Sequence, residues 1–310
     1  DTAADGVYLN ELNAKQQAKY VGWQGAFYNV AKVFSGGVLV YLAGQLEQEI
    51  GIKSAWMVVM FAYGFIMLGI GLYSIRALPA HDEAPKSTAL KEGMDTLKDV
   101  IITFFQKKNI WFSLLFIVFY RFAEGQAIKI TPLFFKAQRT EGGLGLSTSE
   151  IGLLYGVFGA IAFVLGSIVA GHFVSKKGLD RRTLMILCAF FNVPFVAYAF
   201  LAITLPTNLY LIAAAVAIEY FGYGFGFIGI ILFIMQNIAP GKYKMAHYAF
   251  GSGLVNLGFM IPSMISGWLS DHLGYKEFFI WVLISTIPAF LVSWWVPLRK
   301  PEKEHTDENN

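Results

Sequence analysis

EYFGYGFGFIG, residues 219–229, decides how this chain folds. Within it, Gly224-Phe225-Gly226-Phe227-Ile228-Gly229 spells G-x-G-x-x-G, the pattern of a dinucleotide-binding turn. Such a turn must follow a strand and open a helix in a soluble βαβ unit. Here it lies inside one apolar run, with LYLIAAAVAI before it and IILFIMQNI after it, and no strand pattern precedes it. A bilayer core about 30 Å thick needs about 20 apolar residues per helix, and this run is long enough to cross it. Gly222 and Gly226 then form a small-xxx-small pair with Gly229 on the same face, which lets helices approach closely. The glycines also loosen a helix that must bend during a transport cycle. Glu219 opens the stretch, and a charge at that depth must pair or line a wet cavity.

The rest of the chain reads the same way. Only 15% of its residues are charged and 56% are hydrophobic, against about 25% charged in soluble domains. Candidate spans lie near 20–46, 55–78, 109–135, 150–174, 182–204, 208–238, 246–270 and 277–298. The runs are too long for barrel strands and lack their period of two. The fold class expected is an all-α integral membrane protein with eight complete transmembrane helices. Cys188 is the single cysteine, so no intrachain disulfide forms, and no His or Cys cluster has metal spacing. These absences argue against a metal, a cofactor and a membrane-embedded enzyme, and the net charge of +3 is too small to suggest nucleic acid. A channel or a non-transporting sensor remains open, with flux the observation that separates them.

Residues 79–108 form a polar connection with an amphipathic helix expected over Thr88–Phe105, read as a cytoplasmic linker. It separates 1–78, the remainder of one helical bundle, from a six-helix bundle over 109–298, with 299–310 as a tail. Lys and Arg set the orientation. Alternate connections hold 17 of them against 4 in the others, counted from Lys15 to Lys303 and over Lys53, Lys136, Arg139 and Lys276 respectively. Both ends of the chain are therefore expected in the cytoplasm. The chain opens on DTAADGVYLNEL, which reads as the end of a helix, so about the first three of twelve helices are expected to be missing. A trace of repetition links SGGVLVYLAGQLEQEIGIKSAW (35–56) to SGWLSDHLGYKEFFIW (266–281).

Lys32, Arg121, Glu124 and Glu219 fall near mid-span, where each unpaired charge costs about 2.5–3.5 kcal/mol. Arg121 and Glu124, three apart, can pair on one helix. Asp1 and Asp5 share a face of the first helical stub, and an Asp1–Lys32 pair between neighbouring helices fits their depths. A carboxylate desolvated in a cavity can titrate near neutral pH, which makes Asp1, Asp5, Glu124 and Glu219 candidates for proton coupling. Lys32, Arg121, Tyr28, Tyr120, Asn29 and Asn256 are candidates for substrate contact, although mid-helix amides more often join helices. GHFVSKKGLDRR (171–182) supplies Gly171, Ser175, Lys176, Gly178, Arg181 and Arg182 as a helix end, a tight turn and a basic clamp. Its basic residues either anchor the cytoplasmic side or meet helix C-terminal carbonyls as a conformational latch.

The 171–182 loop resembles the signature between the second and third helices of each half in the major facilitator superfamily, with Ser175 at its usual acidic position. More narrowly the chain is similar to AmpG-like permeases, a branch that also holds acetyl-CoA transporters. DTAAD (1–5), FYNVAKVFSGG (27–37), FYRFAEG (119–125) and Glu219 with its glycines resemble that family's fourth, fifth, seventh and tenth helices in order. Asn29 stands where the family often has Arg. The resemblance implies a monomeric, proton-coupled importer of anhydro-muropeptides in a bacterial inner membrane, working by alternating access in peptidoglycan recycling. The phosphates of acetyl-CoA would suit the same cations, so that substrate stays open within the family.

Overall fold

A computed structural model describes residues 2–34, 39, 42, 43, 46, 49–77 and 90–299, and the side chains of 2–4, 32, 33, 90–93, 148 and 149 are outside that description. The described residues are helical, with no strand among them. In chain order they form α1 (Thr2–Glu11), α2 (Ala14–Val33), α3 (Ile52–Ala77), α4 (Leu90–Phe105), α5 (Ile110–Tyr120) and α6 (Phe122–Lys136). There follow α7 (Thr148–Leu153), α8 (Ala160–Lys177), α9 (Arg181–Asn192), α10 (Phe195–Thr204), α11 (Leu209–Phe233), α12 (Lys244–Ile284) and α13 (Ile287–Trp295). A π-helical segment, Leu154–Gly159, joins α7 to α8, and another, Ile234–Ile238, ends α11.

Helix ends follow local chemistry. Asn13 and Gln16 form a reciprocal capping box at α2, as Ser147 and Glu150 do at α7. Asp180 caps α9 by accepting from the Thr183 amide at 2.7 Å, a bond that holds its carboxyl below the usual carboxylate range.

Five helical stretches are long and apolar enough to cross a membrane: Ile52–Ala77, Glu150–Lys177, Arg181–Thr204, Leu209–Ile238 and Lys244–Trp295. A sixth is reached if Met94–Phe105 and Ile110–Lys136, bent by 87°, count as one span. Of the eight spans expected, 246–270 and 277–298 fall within one of these stretches. Lys244–Trp295 has 52 residues, about 78 Å if straight, and Gly274 (φ 74°, ψ 164°) breaks it into two helices. Where 20–46 was expected to span, α2 carries Gln24 and Asn29, and most of 35–48 lies outside the described residues. The repeat trace is sharpened by the same break. Gly51 (φ 80°) and Gly274 (φ 74°) both have positive φ two residues before a lysine, Lys53 and Lys276, in the first turn of the next helix. The amphipathic helix expected over Thr88–Phe105 is described from Leu90; residues 78–89 and the tail from 300 lie outside the described residues.

The centre of the packing is α11. The opening glycines are contact points, in keeping with the membrane-helix reading. A Cβ at Gly222 would meet the Phe190 carbonyl oxygen at 2.2 Å, and one at Gly226 the Leu187 carbonyl oxygen at 2.6 Å, both on α9. Gly224 faces the other way, onto the Phe163 backbone of α8. Thus α11 is held between α8 and α9 at backbone distance. On the far side of α8, Gly22 of α2 and Gly171 cross just as tightly, their Cβ positions 2.9 Å from each other's Cα.

Candidate functional site

The site forms where α5 gives way to α6. Arg121 breaks the helix there with φ −104° and ψ 11°. Its side chain reaches Glu124 in the first turn of α6, Nε to Oε2 at 2.5 Å and Nη2 to Oε1 at 2.7 Å. Both residues are buried. The guanidinium lies between two rings, 5.0 Å from the Phe227 centroid and 4.6 Å from that of Phe259. Phe259 is brought close because Gly125 lets α6 press on α12, where Ser263 donates to the Gly125 carbonyl at 2.6 Å. The bidentate geometry satisfies the fork of the arginine and both carboxylate oxygens of Glu124.

Glu219 meets a different environment. It is also buried, on α11, and accepts one hydrogen bond, from the Tyr198 hydroxyl at 2.9 Å. The two carboxylates line one cavity of about 520 Å³ with Asn29, Thr131, Tyr155, Tyr220 and Tyr223 among its walls. The π-helical segment contributes Tyr155 and Gly156 to that wall. Asn29 reaches across from α2 and donates to the Ala160 carbonyl at 3.3 Å. The cavity therefore combines a closed ion pair, a carboxylate on a neutral donor and several phenols, a mixed lining that suits a ligand with both polar and apolar surface.

Other expected residues fall elsewhere. Asp5 is buried between α1 and α2, accepts from Gln24 at 2.7 Å and does not line this cavity. Tyr120 is fully buried, and its hydroxyl is used on the Gly226 carbonyl at 2.7 Å, so it is a packing residue. Tyr28 and Asn256 are exposed and are not among the cavity residues. Asp1 and the side chain of Lys32 lie outside the described residues, as do Ser35, Gly36 and Gly37. Gly171 belongs to the α2–α8 crossing rather than to a loop. The turn itself is short, with Gly178 at φ 77° ending α8. Arg181 donates to the Val296 carbonyl at the end of α13, 3.3 Å away, while Lys176 and Arg182 are exposed and Ser175 is partly buried. Sequence reasoning missed Tyr198 and Thr131, because their place at the cavity comes from tertiary packing and no local pattern marks it.

The family model of the Major Facilitator Superfamily matches residues 6–246 and again 141–310, together the length of the chain but for its first few residues. The chain belongs to the major facilitator superfamily. Membership makes this a multi-pass membrane protein of a transporter family. Among its relatives is the anhydromuropeptide permease of Escherichia coli strain K12, 23% identical over 86% of this chain and 50% of the relative. A protein of Rickettsia felis that carries the name AmpG 1 is 25% identical over 93% of this chain and 65% of the relative. An uncharacterized protein of Haemophilus influenzae is 22% identical over 90% and 64%. The chain thus spans about half to just under two thirds of the length of these superfamily relatives.

Proposed function

We propose that this chain is part of a proton-coupled importer of anhydro-muropeptides, working by alternating access in a bacterial inner membrane. The observation that carries the reading is the unequal pair of buried carboxylates facing one cavity. Glu124 is neutralised by a bidentate arginine, and Glu219 has a hydroxyl as its hydrogen-bond partner. An ionised carboxylate in that position is costly, and protonation removes the cost. Glu219 is therefore the proton carrier. Glu124 keeps Arg121 in place until a substrate carboxylate, with the same planar geometry, competes for the guanidinium. The phenols of Tyr155, Tyr220 and Tyr223 offer faces for sugar rings and hydroxyls for peptide groups. The relative named anhydromuropeptide permease supports the choice of substrate.

In this reading residues 109–298 form one half of the carrier and 1–78 belong to the other, joined by 79–108, with both chain ends in the cytoplasm. Rocking between the halves is resisted by the Gly22–Gly171 crossing. The test is uptake of labelled anhydro-muropeptide into vesicles bearing the intact protein. Saturable accumulation that a protonophore abolishes is expected. Accumulation indifferent to the proton gradient would remove the coupling, and absence of uptake would remove the substrate.

A further inference from the structure

The helix α4 is amphipathic, but its apolar side faces away from the protein. Toward the body it presents Asp99, Thr103 and Phe104. Asp99 accepts from the Tyr243 hydroxyl at 2.6 Å and from Lys242 at 3.0 Å, and Thr103 lies 3.3 Å from the His247 ring nitrogen. Phe104 is fully buried, its ring 4.6 Å from that of Phe250. On the side away from Asp99 and Thr103, Met94, Leu97, Ile101 and Phe105 follow each other at helical spacing and are 60%, 53%, 40% and 40% exposed, Phe105 also lying 6.1 Å from the Phe250 ring. A helix in water turns such a stripe inward. Here the polar side is spent on the protein, so the stripe needs an apolar medium.

Two observations say which medium. Met94–Phe105 meets Ile110–Lys136 at 87°. Ile110–Lys136 is about 40 Å long at 1.5 Å per residue, enough to cross the bilayer by itself. With that helix upright, α4 lies in the membrane plane. The stripe is also continuous with the lipid-facing side of α5: the Phe105 ring sits 6.0 Å from that of Trp111, and Trp111, Phe112 and Leu115 are all exposed. Trp at this level marks the membrane–water boundary. Lys98 on the flank of the stripe and Lys108 just beyond the helix are exposed as well, placed to meet negative headgroups.

We propose that α4 is an interfacial helix whose Met94–Leu97–Ile101–Phe105 face is seated in the cytoplasmic leaflet of the bilayer, with Lys98 and Lys108 on anionic headgroups. Because Asp99 and Thr103 tie the same helix to Lys242, Tyr243 and His247, the bilayer surface is linked mechanically to the connection between α11 and α12. The occupant is lipid, not a further protein segment, and the distinction is measurable.

The experiment places single nitroxide labels at 95, 97 and 101 of the intact protein on a Cys188→Ser background. The protein is reconstituted in phosphatidylcholine vesicles with and without phosphatidylglycerol, and collision rates with oxygen and with a water-soluble nickel chelate are compared. The labels at 97 and 101 are expected to favour oxygen several-fold, with the label at 95 favouring the chelate. Adding phosphatidylglycerol should strengthen the contrast, and Lys98→Gln with Lys108→Gln should cancel that increment. Equal access of the chelate to all three positions would overturn the proposal by putting the stripe in water. Protection of 97 and 101 from both reagents would overturn it by showing a protein cover. Insensitivity to phosphatidylglycerol would overturn the headgroup assignment.

Discussion

Glu124 and Glu219 line the same cavity, yet the protein treats them as opposites. Glu124 sits in the first turn of α6, where the helix dipole favours a negative charge, and is clamped by the Arg121 fork between two phenylalanine rings. Glu219 lies in the interior of α11, away from either helix end, and rests on a phenol. The difference teaches that burial alone does not assign a role to a membrane carboxylate. What matters is whether its counter-charge travels with it, since a paired acid has little reason to change protonation and an acid on a neutral donor has one.

The sharpest way to break this comparison is to remove the clamp. Arg121→Gln leaves Glu124 buried without its cation and should cost about 3–5 kcal/mol, seen as a large fall in the melting temperature of the detergent-solubilised protein. The double variant Arg121→Gln, Glu124→Gln should recover most of that loss. Failure to recover it would mean that the arginine serves something other than Glu124. Next in size is Glu219→Gln, expected to abolish gradient-driven accumulation while leaving membrane insertion, melting and substrate exchange close to wild type. Unchanged accumulation would place the proton elsewhere. Tyr198→Phe removes the hydrogen bond to Glu219, a loss of about 1.5–3 kcal/mol if the acid is ionised at the time, and should slow accumulation several-fold without unfolding. An unaffected rate would show that the phenol is only packing. The smallest effect belongs to Asp99, far from both carboxylates. Its hydrogen bonds to Tyr243 and Lys242 hold its carboxyl below the usual range. The tether therefore persists from neutral pH down through about pH 4, where free aspartates titrate, and is lost only as pH falls through the lowered value. Asp99→Asn should leave cavity function untouched and quicken amide exchange in α4 alone.

Much of this was legible in the residues, and the limits have physical causes. Apolar runs bounded by charge locate helices because a bilayer imposes their length, and the spans expected over 109–135, 182–204 and 208–238 match Ile110–Lys136, Arg181–Thr204 and Leu209–Ile238 closely. The Arg121–Glu124 pair was readable because it is local, three residues apart on one segment. Tyr198 was not, since its hydroxyl meets Glu219 only after α10 packs on α11. Tyr120 shows the converse. An aromatic beside an arginine reads as a ligand contact, but its depth is set by Phe116, Phe191 and Gly226, which no spacing reveals. The spans expected over 246–270 and 277–298 were legible as two because polar residues from Asp271 to Lys276 interrupt the apolar run, and Gly274 breaks the helix there. The π-helical segment beside the cavity left no mark in the sequence, because a π turn uses the same residue types as an α turn.

The claim that Glu219 alone exchanges a proton is tested most directly by infrared difference spectroscopy of the reconstituted protein across a pH titration. A protonated-carboxyl C=O band should appear as pH falls, persist in Glu124→Gln and vanish in Glu219→Gln. A band that survives in Glu219→Gln and disappears in Glu124→Gln would contradict the assignment and give the proton to the arginine-bound acid instead.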